Sequence, residues 1–272
     1  MDKHSPPVRE VIEFLTELHD NGLGYSALCT ARSALSASVK FEGHPIGEHF
    51  LVSRFMKGAF NLRPALPKTN VTWDPKILLD HLKTLSPNDK ISFKQLTFKC
   101  ASLIWILSGQ RGQSIHLIST KNLSVFTNEV KIRFGDKLKT SRPGFHQAEI
   151  TLKAFPTDSA LCVVRTLEEY LKRTEEFRGE EKQLFISFQK PYKAISRDTL
   201  SRWISVIMKD AGLDTSIFTP HSLRSASTSK AKRRKVSIQT ILDTAGWKKD
   251  CTFRKHYEKE IKECGEFSLA QL

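Results

Sequence analysis

The stretch "RPALPKTNVTWDP", residues 63–75, carries three prolines in thirteen residues and almost no hydrophobic period. Proline fixes φ, removes a backbone donor and pushes the residue before it away from helical angles. No helix runs through such a segment, so the chain divides into two bodies, each with a core of its own. We place the linker at residues 67–74, between a domain of residues 1–66 and one of residues 75–272. With 272 residues, 39% hydrophobic, and 17 Phe and 4 Trp, the chain can fill a small core and a larger one.

The first body reads as helical. In "PPVREVIEFLTELHDNGLGYSALCTARSALSAS", Val11, Phe14, Leu15 and Leu18 fall at i, i+3, i+4 and i+7, and "DNGLG" breaks the pattern before a second helix. "EHFLVSRFMKGAFNL" is a third amphipathic helix. In the second body, "ISFKQLTFKCASLIWILSG" is a long apolar helix stopped by Gly109. Between residues 123 and 153 the period changes to two. Val130, Ile132 and Phe134 alternate with polar residues, as do Ile150 and Leu152, which predicts an antiparallel sheet of two or three strands. "ALCVVRTLEEYLKRTEEF" returns to a helix, and "QLFIS" is a short apolar strand or turn. Ser196 caps "RDTLSRWISVIMKDAG", which Gly212 ends, and two or three helices follow. The expected fold class is mainly α with a small antiparallel β-sheet (α+β).

Charge points to the partner. Lys+Arg number 43 against 29 Asp+Glu, a net +14. Residues 1–68 account for +1 and the rest for +13. Such an excess suits a polyanion, nucleic acid being the commonest, and a basic surface kept for solubility is the plainer reading. Five scattered cysteines, Cys29, Cys100, Cys162, Cys251 and Cys264, contain no CxxC pair and suggest neither a zinc site nor a disulfide framework. No run approaches 18 apolar residues, and "MDKHSPPVRE" does not read as a signal peptide. The expectation is a soluble, reduced, intracellular protein without a membrane partner.

Several polar residues stand out after the linker. In "TPHSLRSAST", His221 and Arg224 share a helix face and could converge on one phosphate, although a capping pair has the same spacing. Arg111, in "LSGQRGQSI", follows Gly109 in an apolar setting, where a cation needs either an internal carboxylate or an anionic ligand. "GDKLKTSRPG" puts Lys137, Lys139 and Arg142 on the expected hairpin, in a solvated turn or within reach of a groove. "AGW" brings Trp247, and ten residues later Tyr257 sits in "CTFRKHYEKEI".

In that order, arginine, hairpin lysine, His-x-x-Arg, a His-or-Trp position and tyrosine resemble the pattern of the tyrosine recombinase (phage integrase) family. The resemblance covers nearly the whole chain. It makes residues 1–66 a helical core-binding (SAM-like) DNA-binding domain and residues 75–272 the catalytic domain. "RGQSI", "LKTSRPG", "HSLRSASTSKA" and "ILDTAGW" are most similar to recombinases of DIRS and Ngaro-type eukaryotic retroelements. The resemblance implies a DNA recombinase that cuts and rejoins strands through a 3′-phosphotyrosyl link. Its catalytic residues are Arg111, Lys139, His221, Arg224, Trp247 and Tyr257. Arg111 and Arg224 hold the scissile phosphate with His221, Lys139 protonates the leaving 5′ oxygen, Trp247 packs the site and Tyr257 attacks. Lys139 fits the family's hairpin context better than Lys137.

The partner so implied is double-stranded DNA, bound by an assembly of four protomers, with nuclear localisation. No metal or cofactor is implied: the set holds no cluster of metal ligands, and no GxxxxGK[ST] loop is present. Two departures stand out. Ser114 occupies a position where the family often has an acidic residue. "KAKRRKVS" replaces a glycine turn, and its Lys232, Arg233, Arg234 and Lys235 read equally as phosphate contacts, a nuclear-import signal or a solvated helix end. In the tail, Phe267 and Leu269 could dock on a neighbouring protomer or fold back. A type IB topoisomerase-like activity and an inactive DNA-binding protein are the competing readings. The separate first domain and element-like motifs weigh against the former, and the complete residue set against the latter.

Overall fold

A computed structural model describes residues 6–64, 70–138, 141, 143–144 and 149–262. The chain divides into two units, Met1–Lys68 and Thr69–Leu272. In the first, α1 (Val8–Asp20) ends at Asn21, and Gly22 at φ +88° turns the chain into α2 (Tyr25–Ser38). A two-residue hairpin joins β1 (Lys40–Phe41) to β2 (His44–Pro45). Glu42 and Gly43, both at positive φ, supply the turn its twist requires. The imidazole of His49 caps α3 (Phe50–Leu62), accepting from the Leu51 N–H at 3.2 Å. Val8, Val11, Leu15, Val39, Ile46 and Val52 form one core, and Leu28, Met56 and Ala59 another. Phe14 departs from the expected apolar stripe: it lies about 100° round α1 from Leu15 and is 44% exposed.

The second unit is built on α5 (Phe93–Ser108). Two elements precede it: β3 (Val71–Trp73) and α4 (Pro75–Thr84). α5 begins at a capping box between Ser92 and Gln95 and ends at Gly109, whose φ of +58° suits a residue without a Cβ. Its residues are buried on almost every side because the rest of the unit surrounds it. In chain order come α6 (Gly112–His116), β4 (Leu123–Val125), β5 (Glu129–Ile132), β6 (Ile150–Lys153), α7 (Val163–Arg178) and α8 (Arg197–Asp210). Then follow α9 (Ser222–Arg233), α10 (Ile238–Ala245), α11 (Asp250–His256) and β7 (Glu260–Lys262). α5 packs against α7, α8, α9 and β6.

β4, β5 and β6 make the expected antiparallel sheet, with Val130 opposite Leu152 and Ile132 opposite Ile150. Those four side chains are buried on one face. "QLFIS" forms no strand: Leu184, Phe185 and Ile186 are fully buried, and Ile186 makes an isolated bridge to Ala194. The expected linker at 67–74 needs correction. Its residues 71–73 are β3, which runs parallel to β7 with Val71 opposite Glu260 and Trp73 opposite Lys262. A β-branched pair followed by tryptophan suits a strand, but its partner lies some 190 residues away. Asp74 then caps α4 through the Lys76 N–H at 2.9 Å, with Pro75 in the first turn.

Candidate active site

Three helix ends converge on Arg224, which stands in the first turn of α9 and is 0% exposed. Its Nη1 donates to the carbonyl of Gly109, past the end of α5, at 2.9 Å, and its Nη2 to that of Ala245, at the end of α10, at 2.7 Å. Gly109 and Gly246 both take left-handed angles, and this exposes the final carbonyls of each helix to the guanidinium. Gln110 draws the same ends together. Its carbonyl accepts from the Trp105 indole at 3.0 Å, and its amide donates to the Thr244 carbonyl.

Arg224 has no carboxylate partner among the described residues. What faces it is aromatic: its Cζ lies 4.0 Å from the ring centroid of Trp247 and 5.2 Å from that of Tyr257. Burial, reinforced by the nearby charge of Arg111 and opposed by Tyr257, pushes the guanidinium down to about 9. It is therefore a cation at neutral pH without a matching anion. Arg111, at the N-cap of α6, is half-buried and has no ion pair among the described residues. The internal salt bridge that would explain it as a structural arginine is not found there. Gly112 lets this turn approach α5: a Cβ on it would meet the Trp105 ring at 2.7 and 2.9 Å.

Tyr257 follows α11, with its ring 4.6 Å from Trp247. Its hydroxyl lies 3.2 Å from Nε2 of His221, the N-cap of α9. When that nitrogen is bare the phenol donates to it. Trp247 is buried with Ile241, Leu242, Ala245 and Phe253. Two buried donors here, Arg224 Nε and Trp247 Nε1, lack a partner among the described residues. Ser114 is buried in α6.

The structure thus brings together Arg224, His221, Trp247 and Tyr257, with the charge of Arg111 close by. Lys139 and Arg142, and in the tail Phe267 and Leu269, lie outside the described residues. Lys137 is exposed. In the basic cluster, Lys232 pairs with Glu258, while Arg233, Arg234 and Lys235 are exposed at the end of α9. Sequence reasoning missed three supports: Gln110, the Trp73 indole donating to the Ser222 hydroxyl at 2.8 Å, and Ser229, whose hydroxyl donates to the Tyr257 carbonyl. The run of hydroxyl residues in "HSLRSASTSK" was the visible sign of the last. No group of His, Cys, Asp and Glu among the described residues could hold a metal ion. No helix there is long and apolar enough to cross a membrane.

Residues 76–263 match the phage integrase family, and the chain belongs to that family. Its fold is that of the tyrosine recombinases, shared at 13–17% identity with the following solved structures. A XerH site-specific recombinase bound to difH substrate in a pre-cleavage complex superposes with a TM-score of 0.59 at 15% identity, over 90% of this chain and 65% of that one. The chain therefore spans just under two thirds of the XerH chain. A lambda integrase tetramer bound to a Holliday junction gives 0.53 at 17% identity, over 95% and 67%. The Tn1549 transposon integrase in complex with transposon right end DNA gives 0.59 at 13% identity, over 97% and 83%. No curated protein sequence is significantly similar to the chain.

Proposed function

We propose that the protein is a site-specific DNA recombinase that cleaves and rejoins strands through a 3′-phosphotyrosyl intermediate. The observation that carries this reading is the phenol of Tyr257, 3.2 Å from His221 Nε2 and beside a buried arginine with no carboxylate partner among the described residues. A phosphodiester supplies the missing anion. Arg224 and Arg111 take its non-bridging oxygens and neutralise charge as phosphorus becomes five-coordinate. His221 hydrogen-bonds the same group, and the buried indole N–H of Trp247 offers a further donor.

Tyr257 Oη then forms a bond to phosphorus while the bond to the 5′ oxygen breaks. The phenol proton leaves towards His221, and Lys139 gives a proton to the departing oxygen. The ester keeps the energy of the cut strand, so attack by a 5′ hydroxyl reverses the step without ATP. The motifs "LKTSRPG" and "HSLRSASTSKA" support a recombinase of the DIRS or Ngaro type. Such an enzyme would act in the nucleus as four protomers on two DNA sites, and the lambda integrase tetramer is an example of that assembly on a junction. Lys137, Arg142 and the 232–235 cluster are its candidate backbone contacts.

Selection and sequencing of bound DNA fragments supplies a site. A nicked suicide substrate built on it lets the cut fragment diffuse away. Wild-type protein should accumulate a covalent adduct visible on a denaturing gel, and Tyr257→Phe should form none. Equal behaviour of the two would sink the reading.

A further inference from the structure

The turn that carries Tyr257 holds itself weakly. α11 is seven residues long, and helices that short are marginal alone. Tyr257 leaves helical geometry at φ −127°, ψ −21°. Its N–H and that of Glu258 both return to the Phe253 carbonyl, at 2.8 and 2.9 Å. Hydrogen bonds to the backbone of the turn come from Ser229. Its Oγ donates to the Tyr257 carbonyl at 2.9 Å and accepts from the Lys259 N–H at 3.1 Å, so one hydroxyl closes both sides of the turn. Lys232, nearly one turn further along α9, adds its ion pair with Glu258.

This is an unusual use of a helical serine. A hydroxyl inside a helix commonly bonds the carbonyl of its own preceding turn, as Thr228 does to Arg224 at 2.7 Å. Ser229, only 5% exposed, makes no such bond and directs both of its capacities to residues 257–259. It also lies on the helix that carries His221 and Arg224. At 1.5 Å per residue, its Cα is about 7.5 Å along the axis from that of Arg224. One rigid element therefore carries both the phosphate ligands and the anchor of the tyrosine's backbone.

We infer that Ser229 is a positioning residue, whose hydroxyl ties the Tyr257–Lys259 turn to α9 and sets the in-line approach of Tyr257 Oη to a phosphate held by Arg224 and His221. This rests on Tyr257 being the nucleophile. Misplacement of a reacting group by about 1 Å can cost about a hundredfold in rate, whereas phosphate binding by Arg224 needs no help from Ser229.

The test uses the full chain, the suicide substrate at saturation and single-turnover adduct formation, beside DNA affinity and thermal melting. Ser229→Ala should slow adduct formation about 10- to 100-fold with DNA affinity within about twofold, and Ser229→Thr should restore the rate to within about threefold. Should Ser229→Ala not fold, Ser229→Cys, a near-isostere with weak hydrogen bonding, carries the same comparison. The inference is overturned if the hydroxyl-less variant forms adduct at the wild-type rate. It is equally overturned if folded Ser229→Thr is as slow as that variant, or if affinity falls by the same factor as rate. A wild-type protein that forms no adduct would instead overturn the assignment of Tyr257.

Discussion

Arg224 is buried in a way that does not stabilise the fold, which is the ground for the functional role proposed for it. A buried cation without a carboxylate is costly, and here two helix-end carbonyls and the Trp247 face compensate only in part. Its neighbour Arg111 adds repulsion, a cost in stability that the phosphate of the proposed reaction would relieve. Spacing to His221 was readable from the residues, but the lack of a counter-ion was not, because any of 29 carboxylates could have met it in the fold. Gly112 gives a local test of how Arg111 is placed. Gly112→Ala would drive a methyl into the rigid, buried Trp105 ring, a clash worth about 1–3 kcal/mol. Urea and thermal melts should record that loss, and adduct formation should fall with it as the N-cap of α6 shifts. An unchanged midpoint would mean that Trp105 yields freely.

Helices that begin at a cap and end at a glycine were legible because both signals lie within a few residues. Ser92, Gly109, Ser196 and Gly212 mark boundaries in this way. β3 was not legible: three residues between prolines carry too short a pattern, and their partner β7 comes some 190 residues later, after α11. The same junction holds an ion pair between Asp74 and Lys230 of α9, at 2.6 Å. Burial alone would raise the Asp74 carboxyl. The Lys230 ammonium, the Lys76 amide and the charge of Arg233 outweigh it and hold the group below its ordinary range. A depressed carboxyl stabilises the fold above its unfolded value of 3.8, and that contribution is lost as pH falls through the lower folded value. Asp74→Asn keeps a cap but loses the charge. It should cost about 1 kcal/mol at pH 7, discounted for the pair's partial exposure, and the gap to wild type should close below about pH 4. Urea titrations at both pH values check this, and a gap that persists in acid would contradict it.

The distribution of charge predicts how the whole chain would behave on the DNA proposed as its substrate. With +13 of the +14 after residue 68, the second unit should dominate phosphate contacts. A footprint of 6–10 phosphates predicts a slope of log affinity against log salt of about −5 to −9, and a loss of about 10³-fold or more between 50 and 200 mM. Fluorescence anisotropy on a selected duplex measures it. A slope shallower than about −2 would contradict a broad electrostatic footprint. Lys232 should contribute less than an unpaired lysine would, since Glu258 already neutralises it.

Local rules made most helices, several caps and the antiparallel sheet readable from the chain, because each depends on neighbours close in sequence. The family resemblance singled out Tyr257 on other grounds, the order of residue types along the chain. Folding alone decided that Tyr257 meets His221 of its own chain, that Arg224 meets no carboxylate among the described residues, and that Ser229 bonds the turn that carries Tyr257. Those contacts join residues 28 to 115 positions apart, and no local preference encodes which of the many compatible partners a packed interior brings within hydrogen-bonding distance.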